Sequence, residues 1–240
     1  MATLALPRAE SWRPRLVAPL WHTLALVLLL VTLTAGGALF QLRAHANPAL
    51  TAHHPNAAPL YLSLILAEWG LFYYVWKGGL QRTGIPLGEL IGGRWSRGRD
   101  LLVDAAVAAG MWAGWTLVSL GLQRALAPDH AASIQALLPR TALEAVLWVG
   151  LSVSAGICEE TVFRGYFQTQ LHALTGHRWL AVVLQALLFG IAHGYQGVAA
   201  CLKIALLGAL YGAIASWRKS LRPGMMAHAW TDIASGLLFR

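Results

Sequence analysis

From Leu20 to Leu42 the chain runs for 23 residues without an Asp, Glu, Lys or Arg. A helix of about 17–25 apolar residues crosses the hydrocarbon core of a bilayer. Inside that core every backbone N–H and C=O must be satisfied within its own segment, so such a run folds as helix. Comparable runs follow at Pro59–Trp76, Leu101–Leu122, Thr141–Leu171, Trp179–Tyr195, Val198–Trp217 and Pro223–Phe239. They leave no room for an extramembrane domain between them. The expected fold is all-α: a polytopic membrane protein of about seven transmembrane helices, each set by bilayer thickness. Residues 1–240 form a single integral membrane domain on this reading.

Composition excludes the soluble alternative. Charged residues make up 12% of the 240, against roughly 25% in ordinary soluble domains. A soluble chain of this size has more polar surface than that to cover its core. The net charge of +8 resides in the gaps between apolar runs rather than in a groove-lining pattern, which argues against nucleic acid as a partner. With the N-terminus inside, the inner segments hold twelve Lys and Arg, among them Arg8, Arg13, Arg15, Lys77, Arg178 and Arg222. The outer side holds four: Arg43, Arg124, Arg140 and Arg240. That bias orients the chain N-inside and C-outside. The basic Gly84–Arg99 connection then faces anionic headgroups, so membrane lipids are the first expected partner. The opening apolar run exceeds the ~7–15 residues of a signal-peptide core and reads as an uncleaved anchor.

Against this background Cys158-Glu159-Glu160-Thr161-Val162-Phe163-Arg164 stands out, because it places two carboxylates and an arginine within an apolar run. A charge near the bilayer centre costs at least ~2.5–3.5 kcal/mol on insertion scales, so it demands a partner or a function. Positions four apart share a helix face, which pairs Glu160 with Arg164. Glu159 is rotated from Glu160 by about 100° and has no basic residue three or four positions on. Burial favours the protonated form of an unpaired carboxyl, which suits a general base. Later runs add His193 in Phe189-Gly-Ile-Ala-His193 and His228 in His228-Ala-Trp-Thr-Asp232. A carboxylate one turn from an imidazole can fix its tautomer. Three runs, the fourth, fifth and seventh, thus supply polar groups to one interior site. The residues alone leave a hydrolytic site and a proton-coupled transporter both open. Glu68, Asp104 and Glu144 also sit in or beside apolar runs and read as further buried carboxylates outside the site. Cys158 and Cys201 form no disulfide framework or zinc motif and read as small buried hydrophobes. The His53-His54 pair has no carboxylate or cysteine near it to complete a metal site.

Glu-Glu-x-x-x-Arg, Phe-x-x-x-His and His-x-x-x-Asp, in that order on separate apolar segments, resemble the motifs of the CPBP family. These are the CAAX-processing and bacteriocin-immunity-type (Abi) intramembrane endopeptidases. The resemblance covers roughly residues 140–240, a family-like catalytic core, and the earlier runs match only in being apolar. It implies hydrolysis of membrane-associated or C-terminally lipidated, CAAX-like peptides. By resemblance, Glu159 is the general base with His193 as its partner. His228 and Asp232 stabilise the oxyanion or orient the substrate carbonyl, while Glu160 and Arg164 support Glu159. Eukaryotic relatives often carry Asn at the last position. An ionised Asp232 cannot donate a hydrogen bond, so orienting His228 suits it better. The resemblance implies a glutamate-dependent reaction with no cofactor. Glu159, His193 and His228 also make a ligand set for Zn²⁺, which stays open.

The alternatives are a non-proteolytic scaffold or bacteriocin-immunity-type partner-binding protein, and an ion-coupled transporter. The short chain without an organelle signal points to a bacterial inner membrane. One conflict stands in the sequence: straight helices put His193 near the outer end of its run and His228 near the inner end of its own. A break at Gly190 or Gly194, or a re-entrant early segment, would reconcile them.

Overall fold

A computed structural model of the chain describes residues 15–46, 56–125 and 138–238. Arg8, Trp12, Arg13, the His53-His54 pair and Arg240 lie outside the described residues. The described residues are helical, with short connections. In chain order the helices are α1 (Leu20–Ala46), α2 (Ala58–Thr83), α3 (Leu87–Ile91), α4 (Gly98–Ala125), α5 (Ala142–Thr175), α6 (Arg178–Ala192), α7 (Val198–Arg218) and α8 (Arg222–Leu237). A 3-10 turn at Gly194–Gln196 joins α6 to α7.

Five helices, Leu20–Phe40, Ala58–Thr83, Gly98–Leu122, Ala142–Thr175 and Val198–Arg218, are long and apolar enough to cross a membrane. The surface agrees with that reading. Leu24, Leu66, Leu102, Leu117, Val146 and Val198 all expose their side chains, an arrangement suited to lipid rather than water. The remaining two expected runs form α6 and α8, of 15 and 16 residues. At 1.5 Å per residue they measure roughly 22–24 Å, short of a ~30 Å hydrocarbon core. These short helices are the ones that bring in the histidines.

The start of α5 is fixed by a capping box, in which the Thr141 hydroxyl accepts from Glu144 N and Glu144 accepts from Thr141 N. Glu144 also accepts from Ala57 N at 2.9 Å, tying the start of α2 to the start of α5. Asp104 on α4 pairs with Arg218 (2.8 Å) and Arg222 (3.3 Å) and accepts from Trp95 Nε1 at 2.8 Å, which anchors the turn between α7 and α8. Both carboxylates are therefore structural. Both α2 and α5 contain π-helical stretches, Tyr74–Leu80 and Glu160–Phe167. The second begins within the acidic motif, and such stretches are frequent at functional sites.

A buried polar network fastens α1 and α2 to the lower part of α5. Gln170 Nε2 donates to Thr23 Oγ1 (3.0 Å), which lies 2.8 Å from the Tyr166 hydroxyl, itself 2.8 Å from His22 Nδ1. His22 Nε2 in turn lies 3.1 Å from Tyr74 O. Because a carbonyl only accepts, the hydrogen sits on Nε2, and Tyr166 donates to Nδ1. Gln170 Oε1 takes the N–H groups of Val17 and Ala18, which precede α1.

Candidate active site

The site forms where α5, α6 and α8 meet. α5 and α6 make an antiparallel hairpin around Gly176, whose φ of +72° suits a residue without a Cβ. Residues equally far from that turn lie side by side. Phe163 and Phe189 are such a pair, with ring centroids 4.9 Å apart. Glu159 and His193 are the next such pair, one turn further along, so the hairpin sets them at the same level. α8 runs antiparallel along α5, made possible by two glycines. A Cβ on Gly156 would sit 2.7 Å from Met225 O, and one on Gly224 would sit 2.8 Å from Glu160 Oε2. This close approach carries His228 to the acidic motif.

Glu160 and Arg164, both buried, pair at 3.0 Å. The guanidinium also lies 4.0 Å above the Phe189 ring and 5.5 Å from that of Tyr211. None of its three nitrogens makes a well-directed hydrogen bond, so charge proximity and ring stacking hold it. His228 Nδ1 lies 3.1 Å from Glu160 Oε1, which makes Nδ1 a hydrogen donor. His228 Nε2 lies 3.7 Å from both Glu159 Oε2 and Asp232 Oδ2. That distance is too long for direct hydrogen bonds but close enough for strong electrostatic attraction. The carboxylate that orients His228 is therefore Glu160, on the neighbouring helix, rather than Asp232 one turn away on its own.

His193 caps the end of α6, and its Nδ1 lies 2.8 Å from Phe189 O. The carbonyl fixes the hydrogen on Nδ1 and leaves the Nε2 lone pair as the reactive face. The ring of Phe189 lies 4.8 Å from that of His193 and 6.1 Å from that of His228. Asp232 is within electrostatic reach of both imidazoles. Phe189 thus lies between the two histidines, and α6 ends at Ala192 with Gly194 opening the 3-10 turn that follows. Gly190 does not break α6. It packs against α7, where a Cβ would lie 2.6 Å from Cys201 O.

Two further residues join the site. Tyr195, in the 3-10 turn, stacks on His193 with ring centroids 6.3 Å apart and accepts from Gln196 Nε2 at 2.9 Å. Glu68, on α2, lies within electrostatic reach of Glu159. Neither carried a motif that the sequence reading used, although Glu68 falls on an apolar stripe of α2 at helical spacing. Cys158 is buried and forms no disulfide.

Among the described residues no group of three or more His, Cys, Asp or Glu is arranged to hold a metal ion. His228 Nδ1 is taken by Glu160 and His193 Nδ1 by a carbonyl, which leaves Nε2 of each ring free. The arrangement offers a partnerless carboxylate oxygen at Glu159, an imidazole lone pair at His193, and a hydrogen-donating imidazole at His228. Base, partner and donor around one point are the requirements for activating water against a carbonyl.

No match to this chain was found among curated proteins or among solved structures. A family model, type II CAAX prenyl endopeptidase Rce1-like, matches residues 141–234. That span begins at the Thr141 cap of α5 and ends within α8, and it encloses Glu159, Glu160, Arg164, His193, His228 and Asp232. Over residues 141–234 the chain is therefore similar to the Rce1-like type II CAAX prenyl endopeptidases, a family of the CPBP group.

Proposed function

We propose that this protein is an intramembrane endopeptidase of a bacterial inner membrane that cleaves a peptide bond close to a lipidated, CAAX-like C-terminus. The observation that carries this reading is Glu159 Oε2, buried without a hydrogen-bond partner and 3.7 Å from His228 Nε2, inside the segment similar to that family. Water placed between Glu159 and His193 Nε2 gives its proton to the carboxylate as its oxygen attacks the scissile carbonyl. His228, held by Glu160 through Nδ1, offers Nε2–H to the oxygen that becomes negative. Asp232 attracts that imidazole, and Arg164 holds Glu160 in place. The proton then passes from Glu159 to the leaving nitrogen as the C–N bond breaks. Each step uses only side chains of this chain, and the reading is a glutamate-dependent hydrolysis without a cofactor.

The test is cleavage of a fluorogenic farnesylated peptide by the purified protein, comparing wild type with Glu159→Gln. Loss of hydrolysis in a folded Glu159→Gln protein supports the reading, and equal rates refute it. Chelator treatment with Zn²⁺ add-back probes the metal question separately. Activity that survives the chelator supports the cofactor-free mechanism, and activity that returns only with Zn²⁺ overturns it.

A further inference from the structure

A cavity of about 660 Å³ opens at the other end of α6 from His193. Its walls come from the segment before α1, the end of α2, α3, the lower part of α5, the start of α6 and the end of α7. That volume falls within the ~300–1,000 Å³ typical of small-ligand sites. Three cations line it, Arg15, Arg178 and Lys219, against one carboxylate, Glu89. Among the described residues none of the three forms an ion pair. Arg15 donates to Thr83 O, a neutral acceptor that leaves its charge uncompensated.

The cavity also holds two hydroxyls whose hydrogens are unspent. Ser216 Oγ accepts from Gln168 Nε2 at 2.9 Å, and Ser220 Oγ accepts from Arg222 N and Nε. A hydroxyl that accepts still has its own hydrogen to donate. Among the described residues neither serine gives that hydrogen to an acceptor, although Ser220 is buried. Lys219 has a φ of +50° at the end of α7, a position where glycine or asparagine is the ordinary cap. Lysine there keeps a charge where the backbone alone favours glycine. Cations and free O–H groups around a hollow lack a partner with several acceptor oxygens, which is the chemistry of a phosphate.

The level of the cavity in the bilayer says which phosphate. Trp21, Trp179 and Trp217 are exposed at this end of the bundle, on α1, α6 and α7. Arg82, Arg178 and Arg218 lie over their rings at 5.2, 4.9 and 5.8 Å. Tryptophan collects at the headgroup level, and the charge bias of the loops puts this end on the inner side. Anionic lipids of the inner leaflet attract Lys and Arg there. We infer that the cavity is a binding site for the phosphate of an anionic inner-leaflet lipid. Arg15, Arg178 and Lys219 hold the charge, and the Ser216 and Ser220 hydroxyls donate to its oxygens. Val17, Ile85, Leu90 and Leu221 supply apolar wall for the glycerol end. Arg164 lines the cavity as well, so the lipid sits beside the residue that pairs with Glu160. This binding stands whether or not the protein cleaves peptides.

The test is native mass spectrometry of the full-length, delipidated protein in detergent, titrated with dioleoyl phosphatidylglycerol. Arg178→Gln combined with Lys219→Gly removes two charges, and glycine suits the backbone at 219. Arg97→Gln removes a charge from the exposed basic connection outside the cavity. Wild type is expected to hold one lipid, with affinity lowered about thirtyfold in the double variant and less than about twofold in Arg97→Gln. Unchanged affinity in the double variant, or an equal loss in Arg97→Gln, overturns the inference. If the double variant does not fold, Lys219→Gly alone decides, with an expected loss of about fivefold. Phosphatidylcholine held as tightly as phosphatidylglycerol removes the role of charge and overturns it too. Inorganic phosphate that binds more tightly than the lipid makes the ligand a soluble anion, and a farnesylated peptide that displaces the lipid gives the cavity to the substrate. Either result overturns the lipid assignment.

Discussion

Two buried polar clusters share α5, and they are built on opposite terms. The lower one, His22, Thr23, Tyr74, Tyr166 and Gln170, is neutral. Its hydrogens run in one direction from Gln170 through Thr23 and Tyr166 to His22, and each donor finds an acceptor. The upper one gathers Glu68, Glu159, Glu160, Arg164, His193, His228 and Asp232. It leaves Glu159 Oε2, Glu160 Oε2 and the Arg164 nitrogens without well-directed partners. A satisfied neutral network stabilises a fold, whereas unspent hydrogen-bonding capacity beside charge is what a reaction needs. The difference separates polar residues kept for structure from those kept for chemistry.

Substitutions can break that contrast, starting with the largest effect. Glu159→Gln should lower peptide hydrolysis by about 10³-fold or more, while the thermal midpoint in detergent stays near that of wild type. A large fall in that midpoint instead would move Glu159 to the structural side. Arg164→Leu breaks the buried pair with Glu160 and leaves His228 as that carboxylate's remaining partner; it should cost about 3 kcal/mol, read as lower expression and early unfolding. Gln170→Leu strips partners from Val17 N, Ala18 N and Ala18 O and should cost about 2 kcal/mol. The folded fraction should keep its wild-type kcat. Tyr166→Phe removes one hydroxyl from the lower network, an effect of about 1 kcal/mol by thermal shift with no change in the pH profile of cleavage. If Gln170→Leu or Tyr166→Phe altered kcat as strongly as Glu159→Gln, the division between the clusters would fail.

A second contrast runs along the chain. In the most apolar stretch of α1, 11% of the residues are buried, against 33% in α5. α5 carries the packed interior, whereas α1 is largely faced by its surroundings. Yet Glu68 crosses that division, which is why a motif search confined to residues 141–234 does not reach it.

Much of the site was legible because its logic is local. The spacing of Glu160 and Arg164 gives their pairing in any helix, and the i,i+4 spacing of His228 and Asp232 puts them on one face. Gly84–Arg99 and the other basic gaps set out the helices without reference to packing. What was not legible depends on which faces meet. Glu68 sits on a helical stripe visible in the sequence, but a stripe in a membrane helix can face lipid or protein, and hydrophobicity does not distinguish the two. His228 is oriented by Glu160 because Gly156 and Gly224 let α8 close on α5, a contact between residues distant in sequence. His193 and His228 both approach the Phe189 ring, and only the packed bundle brings them there.

By itself the sequence determined an all-helical membrane protein with charged motifs on three late segments, because backbone satisfaction in lipid and helical periodicity act within each segment. The tertiary structure decided which groups share one point: Glu68 against Glu159, Glu160 against His228, and His193 beside Phe189. Close approach of helices, set by small residues and short segments, has no local signature, and it is what turns separate motifs into one site.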